Sequence, residues 1–219
     1  MGPSRQDVLQ ILVDTGVVAV VRVAQPTELP HLARALHDGG VRMVEITMTV
    51  PGALAAIEAT TREMGDDTLV GAGTVLDPTT ARLAISAGAT FVVGPCLNLD
   101  VIAMSHLCGV AVMPGCLTPT EIVQAWTAGA DVVKLFPGRL ATPGYFSDLR
   151  GPFPHIPLMP TGNVDRQTAP DYIKAGAVAV GVGKALVDPS ALRAGDWDAI
   201  TQNAAAFRSL VDAAKESLQ

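Results

Sequence analysis

The sequence predicts an α/β fold, a single-domain (β/α)8 TIM barrel with an N-terminal helix. A helix end, a glycine and a short valine-rich run recur along the chain, as in HDGGVRMVEI, SAGATFVVG, TAGADVVKLF and KAGAVAVGVG. The glycine suits the left-handed position just past a helix C-terminus. The runs lack strict alternation, which is typical of parallel strands covered on both faces. Eight such units at a spacing of roughly 20–25 residues favour a closed barrel.

The elements follow from these units in chain order. Strands are predicted at 17–22, 41–47, 68–74, 89–93, 110–114, 131–136, 156–161 and 177–182. Helices are predicted near 4–15, 26–39, 51–65, 78–88, 98–108, 118–129, 165–176 and 196–217. Several helices begin with proline in the first turn, and Thr118 with Glu121 forms a predicted capping box.

One other architecture is compatible with the sequence, an open doubly wound sheet. That fold usually carries a glycine-rich dinucleotide loop after its first strand, which this sequence lacks. No linker or shift in composition divides the chain, so we expect residues 1–219 to form one domain.

The composition excludes several classes of protein. With 49% hydrophobic and 16% charged residues, the chain has enough apolar side chains for a large core. A net charge of −6 argues against nucleic acid as a partner. No apolar stretch is long enough to span a membrane, and no signal core is present at the start. Three cysteines without a zinc pattern predict mostly buried, reduced thiols, a cytoplasmic protein and no bound metal.

The segment DVVKLFP places a lysine inside an apolar strand. Because side chains alternate along a strand, Lys134 and Phe136 are expected to point into the barrel, as are Glu45 and Thr47 of the second strand. Burial disfavours the charged ammonium, and a neutral amine can form a Schiff base with a ketone. Glu45 is the carboxylate expected to move protons. The pair suggests carbon–carbon bond chemistry without metal, and the alternative is a buried ion pair that only fills the barrel.

Other polar residues are expected at the same end of the barrel, where active sites of this architecture lie. Arg22, Thr74 and Thr161 each end a predicted strand. The turns PTGNVD and GVGKAL follow the last two strands and place Gly162, Asn163, Gly183 and Lys184 where backbone N–H groups can hold a phosphate.

Five motifs together resemble one known family. VEITMTVPGA, VGAGTVLDP, MPGCLTPTEI, VVKLFPG and MPTGNV, in this order, are similar to the 2-keto-3-deoxy-6-phosphogluconate aldolases, including members that also cleave 4-hydroxy-2-oxoglutarate. The match runs from about residue 15 to 190. The resemblance implies a class I aldolase of the Entner–Doudoroff type on a (β/α)8 barrel. It implies a metal-independent enzyme without a cofactor, with a small-molecule substrate and typically a homotrimer.

The resemblance also implies roles for residues. Lys134 is the Schiff-base lysine and Glu45 the proton-transfer residue, with Thr74 and Thr161 at the pyruvate part and Arg22 nearby. The further candidates for substrate binding are Thr47, Thr49, Pro95 and Phe136.

The chain departs from the family pattern at three places. Many members have arginine at Thr49, glycine at Asn163 and Gly-Ser at Gly183-Lys184, which puts the preference for phosphate in question. Two other functions stay open. One is a phosphosugar isomerase or epimerase on the same barrel, and the other is a ligand-binding barrel without catalysis.

Overall fold

The structure, a computed structural model, describes residues 2–218. Helices alternate with parallel strands in an α/β fold. The strands are β1 Val17–Val21, β2 Met43–Thr47, β3 Leu69–Gly73, β4 Phe91–Val93, β5 Ala111–Met113, β6 Gly115–Cys116, β7 Val133–Leu135, β8 Leu158–Pro160 and β9 Val180–Val182. The helices are α1 Arg5–Thr15, α2 Leu29–Asp38, α3 Ala53–Met64, α4 Pro78–Ser86, α5 Leu99–Leu107, α6 Pro119–Thr127, α7 Pro143–Arg150, α8 Thr168–Lys174, α9 Pro189–Ala194 and α10 Trp197–Glu216, with a 3-10 turn at Pro26–Glu28.

Every strand predicted from the sequence is present, but the fifth is interrupted. It stops at Met113 and resumes as β6 after Pro114. Proline has no N–H to donate to a neighbouring strand, although its carbonyl still accepts a hydrogen bond from Lys134 N at 3.0 Å. Two short helices, α7 and α9, were not predicted, because their segments are too short to show a helical period.

The strands form two parallel sheets. One has the order β5-β4-β3-β2-β1-β9 and the other the order β6-β7-β8. A single bridge between Thr161 and Gly181 connects β8 to β9. In the register, Glu45 lies opposite Gly71, and Lys134 lies between Gly115 and Met159. The neighbours of each strand are therefore those expected from chain order.

Two apolar clusters lie on the two opposite faces of the strands. The outer cluster joins strands to helices and contains Val44, Ile46, Val133 and Leu135. The inner cluster consists of Val8, Leu12, Val18, Met43, Leu69, Phe91, Val93, Ala111, Met113, Val132, Met159 and Ala179. The predicted alternation along β2 and β7 is thus confirmed. Two residues of α1 belong to the inner cluster, so this helix covers the end of the interior opposite Lys134.

Helix starts follow the predicted caps. Thr118 accepts a hydrogen bond from Glu121 N, and the Glu121 carboxylate accepts one from Thr118 N at 2.8 Å. This capping box and Pro119 fix where α6 begins after β6. Within residues 2–218, no helix combines the length and the apolar character needed to cross a membrane.

Candidate active site

Lys134 and Glu45 meet in the interior, above the inner cluster. Lys134 is the central residue of β7 and Glu45 the central residue of β2. The distance from Lys134 Nζ to Glu45 Oε1 is 3.8 Å, and the two side chains are only 5% and 1% exposed. Because side chains alternate along both strands, the two groups point to the same place in the interior, as the sequence predicted.

The Glu45 carboxylate is short of hydrogen-bond partners. Among the described residues, neither of its buried oxygens receives a hydrogen bond. Buried carboxylates normally accept several, so this one retains acceptor capacity for a bound molecule. Lys134 Nζ also lies 5.4 Å from the centre of the Phe136 ring, which forms an apolar wall beside the amine. A buried amine and an unbonded carboxylate in contact can together handle a carbonyl group and its protons.

Thr161 adds a third buried polar group to the interior. Its side-chain oxygen has no hydrogen-bond partner in the part of the chain that is described. It faces Gly181 of β9, where a Cβ atom would overlap the Thr161 hydroxyl. The hydroxyl is therefore free to bind a ligand, and the missing side chain at 181 leaves it space.

Three further threonines lie near the ends of β2 and β3. The hydroxyls of Thr47 and Thr49 are 2.9 Å apart and share a hydrogen bond. Thr74 has a φ of 60°, a conformation that is rare for a β-branched residue and is found mostly at functional sites. Thr49 and Thr74 line one cavity of about 280 Å³, together with Met48, Leu76, Asp77 and Thr80.

The predicted phosphate residues share a second cavity of about 420 Å³. Its lining includes Gly162, Asn163, Gly183, Lys184 and also Arg22. The structure thus places Arg22 beside the turn after β9, whereas it does not line the Thr49–Thr74 cavity. Arg22 and Lys184 are exposed and supply two positive charges.

One acidic residue tempers the charge of this cavity. Asp165 also belongs to its lining. The hydrogen bond from Thr168 N holds the pKa of the Asp165 carboxyl below its usual value, against the effect of burial. Asp165 also accepts hydrogen bonds from Gln167 N and the Thr168 hydroxyl. Its oxygens are thus engaged at the start of α8.

Pro95 and the cysteines lie around β6. Pro95 is partly exposed, and a Cβ on Gly115 would overlap its carbonyl. The prediction of mostly buried thiols is wrong, since Cys96 is exposed and Cys108 is partly exposed. They lie after β4 and after α5, where the short apolar runs that suggested burial have already ended. Cys116 is buried, and burial, with smaller effects of Glu121 and Cys96, raises the pKa of its thiol to about 12.

Sequence reasoning missed residues whose contribution is an absent side chain. Gly71 and Gly73 lie two residues apart in β3, so both face the interior. A Cβ atom on Gly71 would overlap Phe91, and one on Gly73 would overlap Glu45. The available signal was the G-A-G-T run itself, because glycine is unfavourable inside a strand unless something approaches closely. Residues 2–218 hold no group of three or more His, Cys, Asp or Glu side chains arranged to bind a metal ion.

Comparison with known proteins bears on this arrangement. A family model described as KDPG and KHG aldolase matches residues 8–203. The chain belongs to this aldolase family. The resemblance seen in the motifs is therefore confirmed, and with it, at the level of the family, the prediction of an aldolase.

Individual relatives of the family match over most of their length. The chain is 36% identical over 186 residues to the 2-dehydro-3-deoxy-phosphogluconate aldolase of Treponema pallidum (strain Nichols), which covers 84% of this chain and 88% of the relative. It is 33% identical over 207 residues to the KHG/KDPG aldolase of Escherichia coli (strain K12), covering 94% and 95%.

Solved structures of the family are also similar. A native KDPGal structure superposes with a TM-score of 0.84 at 30% identity and covers 91% of this chain and 96% of the other. The 2-keto-3-deoxy-6-phosphogluconate aldolase of Zymomonas mobilis ZM4, solved with 3-phosphoglycerate, has a TM-score of 0.81 at 26% identity, covering 93% and 97%.

Proposed function

We propose that this chain is a class I aldolase that cleaves a 2-keto-4-hydroxy acid to pyruvate and an aldehyde without a metal ion. The substrates would be 2-keto-3-deoxy-6-phosphogluconate, 4-hydroxy-2-oxoglutarate or close analogues, as the names of the relatives suggest. The observation that carries the proposal is the buried contact of 3.8 Å between Lys134 Nζ and Glu45 Oε1, with no hydrogen bond to the carboxylate in the described chain.

The proposed reaction begins with a Schiff base. Lys134 passes a proton to Glu45, and the resulting amine adds to the C2 ketone. Loss of water, with Glu45 shuttling protons, leaves an iminium and an ionised Glu45. Glu45 then takes the proton of the C4 hydroxyl. The C3–C4 bond breaks, its electron pair moves to the iminium to give an enamine, and the aldehyde leaves. Protonation at C3 and hydrolysis release pyruvate and restore the lysine.

The residues around the pair would bind the pyruvate half. Thr161 contributes a buried hydroxyl that has no hydrogen-bond partner within residues 2–218, and the Phe136 ring lies beside the amine. We propose that Thr74 and Thr161 hold the keto acid, with the buried Thr47 beside them and Thr49 and Pro95 at the rim. Thr49 stands where many family members have arginine, so backbone N–H groups would take a larger part in holding the carboxylate.

The distal end of the substrate would lie in the cavity of about 420 Å³. Gly162, Asn163 and Gly183 would offer backbone N–H groups, and Lys184 and Arg22 would add positive charge. A phosphate or second carboxylate suits this lining. The solved relative from Zymomonas mobilis with 3-phosphoglycerate supports a phosphorylated ligand.

We further propose that the two sheets close into one eight-stranded barrel, in which β5 and β6 act as one interrupted strand. The bridge between Thr161 and Gly181 supports closure on one side. Hydrogen bonds from Asp131 N to Val112 O and from Lys134 N to Pro114 O support it on the other. Residues 1–219 would then be a single domain.

The protein is proposed to act in the cytoplasm as a homotrimer. Exposed apolar side chains on three consecutive helices support an interface between copies. They are Leu83 of α4, Leu99 and Leu107 of α5, and Val123 and Trp126 of α6. Leu107 is 81% exposed, which is unusual for a large apolar side chain, and contact with another subunit would cover it.

Reductive trapping tests the proposed function. Borohydride added to the protein with pyruvate should attach a three-carbon unit to Lys134, located by peptide mass spectrometry. Pyruvate release should be measured in parallel from phosphorylated and unphosphorylated 4-hydroxy-2-oxo acids. Absence of the adduct, or an adduct on another lysine, refutes the Schiff-base reaction. An isomerase or epimerase would show neither the adduct nor pyruvate release.

A further inference from the structure

Gly73, the last residue of β3, lies against the side chain of Glu45. A Cβ atom built on Gly73 would stand within 2.5 Å of the Oε1, Cγ and Cδ atoms of Glu45. Real Cβ atoms essentially never approach another heavy atom within 3.0 Å. Any side chain at position 73 therefore requires the carboxylate to move.

We infer that Gly73 is a positioning residue that sets where the Glu45 carboxylate stands relative to Lys134. Glu45 is 1% exposed, and in the described chain no hydrogen bond fixes its oxygens. The location of the Glu45 carboxylate therefore depends on the charge of Lys134 and on packing. The backbone of Gly73, which carries no side chain, is the surface on which the carboxylate packs. The inference rests on the proposed function, in which Glu45 moves protons.

The predicted effect of a side chain at 73 is on the site and not on the fold. The three nearest heavy atoms all belong to one side chain, that of Glu45. Gly73 is not among the glycines with positive φ, so alanine can adopt its backbone conformation. Rotation of the Glu45 side chain can absorb the new methyl group, and the proton-transfer group is then displaced.

Gly71 offers a matched comparison on the same strand. A Cβ there would overlap the ring of Phe91, which is a member of the inner cluster. Gly71→Ala adds the same methyl group two positions earlier and strains core packing, because the three nearest atoms there all belong to the Phe91 ring. We expect it to lower the midpoint of thermal unfolding, whereas Gly73→Ala is expected to lower turnover.

The experiment is a double-mutant cycle with Gly73→Ala, Glu45→Gln and the combined variant. Turnover is measured as pyruvate release per lysine that borohydride traps with pyruvate, so that unfolded protein is not counted. We expect Gly73→Ala to lower kcat about 100-fold with little change in KM, as a displacement of about 1 Å does in active sites. In the Glu45→Gln background it should cause no further loss, because both changes act through one group.

Several results would overturn the inference. They are a kcat of Gly73→Ala within about threefold of the wild type, losses that multiply in the combined variant, or a Gly73→Ala chain that does not fold. The wild-type trapping separates this failure from that of the proposed function. If Lys134 of the wild type is not trapped, the proposed function itself is wrong.

Discussion

The buried pair of Lys134 and Glu45 leads to a quantitative prediction about stability. Lys134→Met shortens the side chain by one atom and removes its charge. Lys134 Nζ lies 3.8 Å from Glu45 Oε1, and the carboxylate has no hydrogen bond within residues 2–218. At an effective dielectric constant of about 20, the attraction over that distance is about 4 kcal/mol. Removing one partner of a buried pair costs about 3–5 kcal/mol, because the other charge is left unpaired.

A second variant isolates the charge from the packing. Glu45→Met combined with Lys134→Met replaces both charges by apolar side chains of similar length. Replacing a whole buried pair in this way is near neutral or stabilising. We therefore expect the free energy of unfolding to fall by about 3–5 kcal/mol in Lys134→Met and to recover to within about 1 kcal/mol of the wild type in the double variant.

Urea unfolding followed by far-UV circular dichroism measures these free energies. All variants must be compared at one protein concentration, because association of subunits adds to the apparent stability. The electrostatic reasoning is refuted if Lys134→Met is as stable as the wild type. It is also refuted if the double variant is no more stable than the single one, since the loss would then come from packing.

Three further predictions concern chemistry. Glu45→Gln should lower turnover by about 10²–10⁴-fold, which is the usual contribution of a proton-transfer group. Borohydride should still trap pyruvate on Lys134. An unchanged kcat in steady-state assays would show that Glu45 takes no part in the reaction. Lys184→Ala should raise KM about five- to tenfold for a phosphorylated substrate, because an exposed cation contributes on the order of 1 kcal/mol to binding. The KM for an unphosphorylated substrate should change little. Equal effects on both substrates would contradict a role in binding phosphate. Burial raises the pKa of Cys116 to about 12, and Cys96 is exposed. Iodoacetamide at neutral pH should therefore label Cys96 and leave Cys116 unlabelled until urea is added. Peptide mass spectrometry identifies the labelled cysteines.

The sequence was sufficient for the features that depend on local pattern. Alternation along the two strands predicted that Glu45 and Lys134 both point inward, because the period of a strand is two and needs no knowledge of its neighbours. The parallel direction of the strands then placed them in the same part of the interior. The cap of α6 followed from Thr118 and Glu121 alone.

Features that depend on contacts between elements were not predictable in this way. The interruption between β5 and β6 at Pro114 depends on whether a neighbouring strand has a carbonyl placed to accept a hydrogen bond from an N–H at that position. The left-handed conformations of Thr74 and Asn163 are imposed by their surroundings, since neither residue favours them as glycine does. The grouping of Arg22 with Lys184 is set by how the first strand lies beside the last. Pattern within one strand carries no information about these distances.

The inner cluster has a consequence for how proteins of this kind can change. Two of its apolar residues, Met43 and Val132, lie two positions before Glu45 and Lys134 in the chain. The part of the interior before these two residues, its lower half, is thus mainly apolar packing, and the reactive groups lie above it. Substitution of exposed residues that line the two cavities, such as Thr49 and Lys184, can therefore change specificity without disturbing the inner cluster. Adaptation to temperature can proceed in the lower half without altering which molecules are recognised.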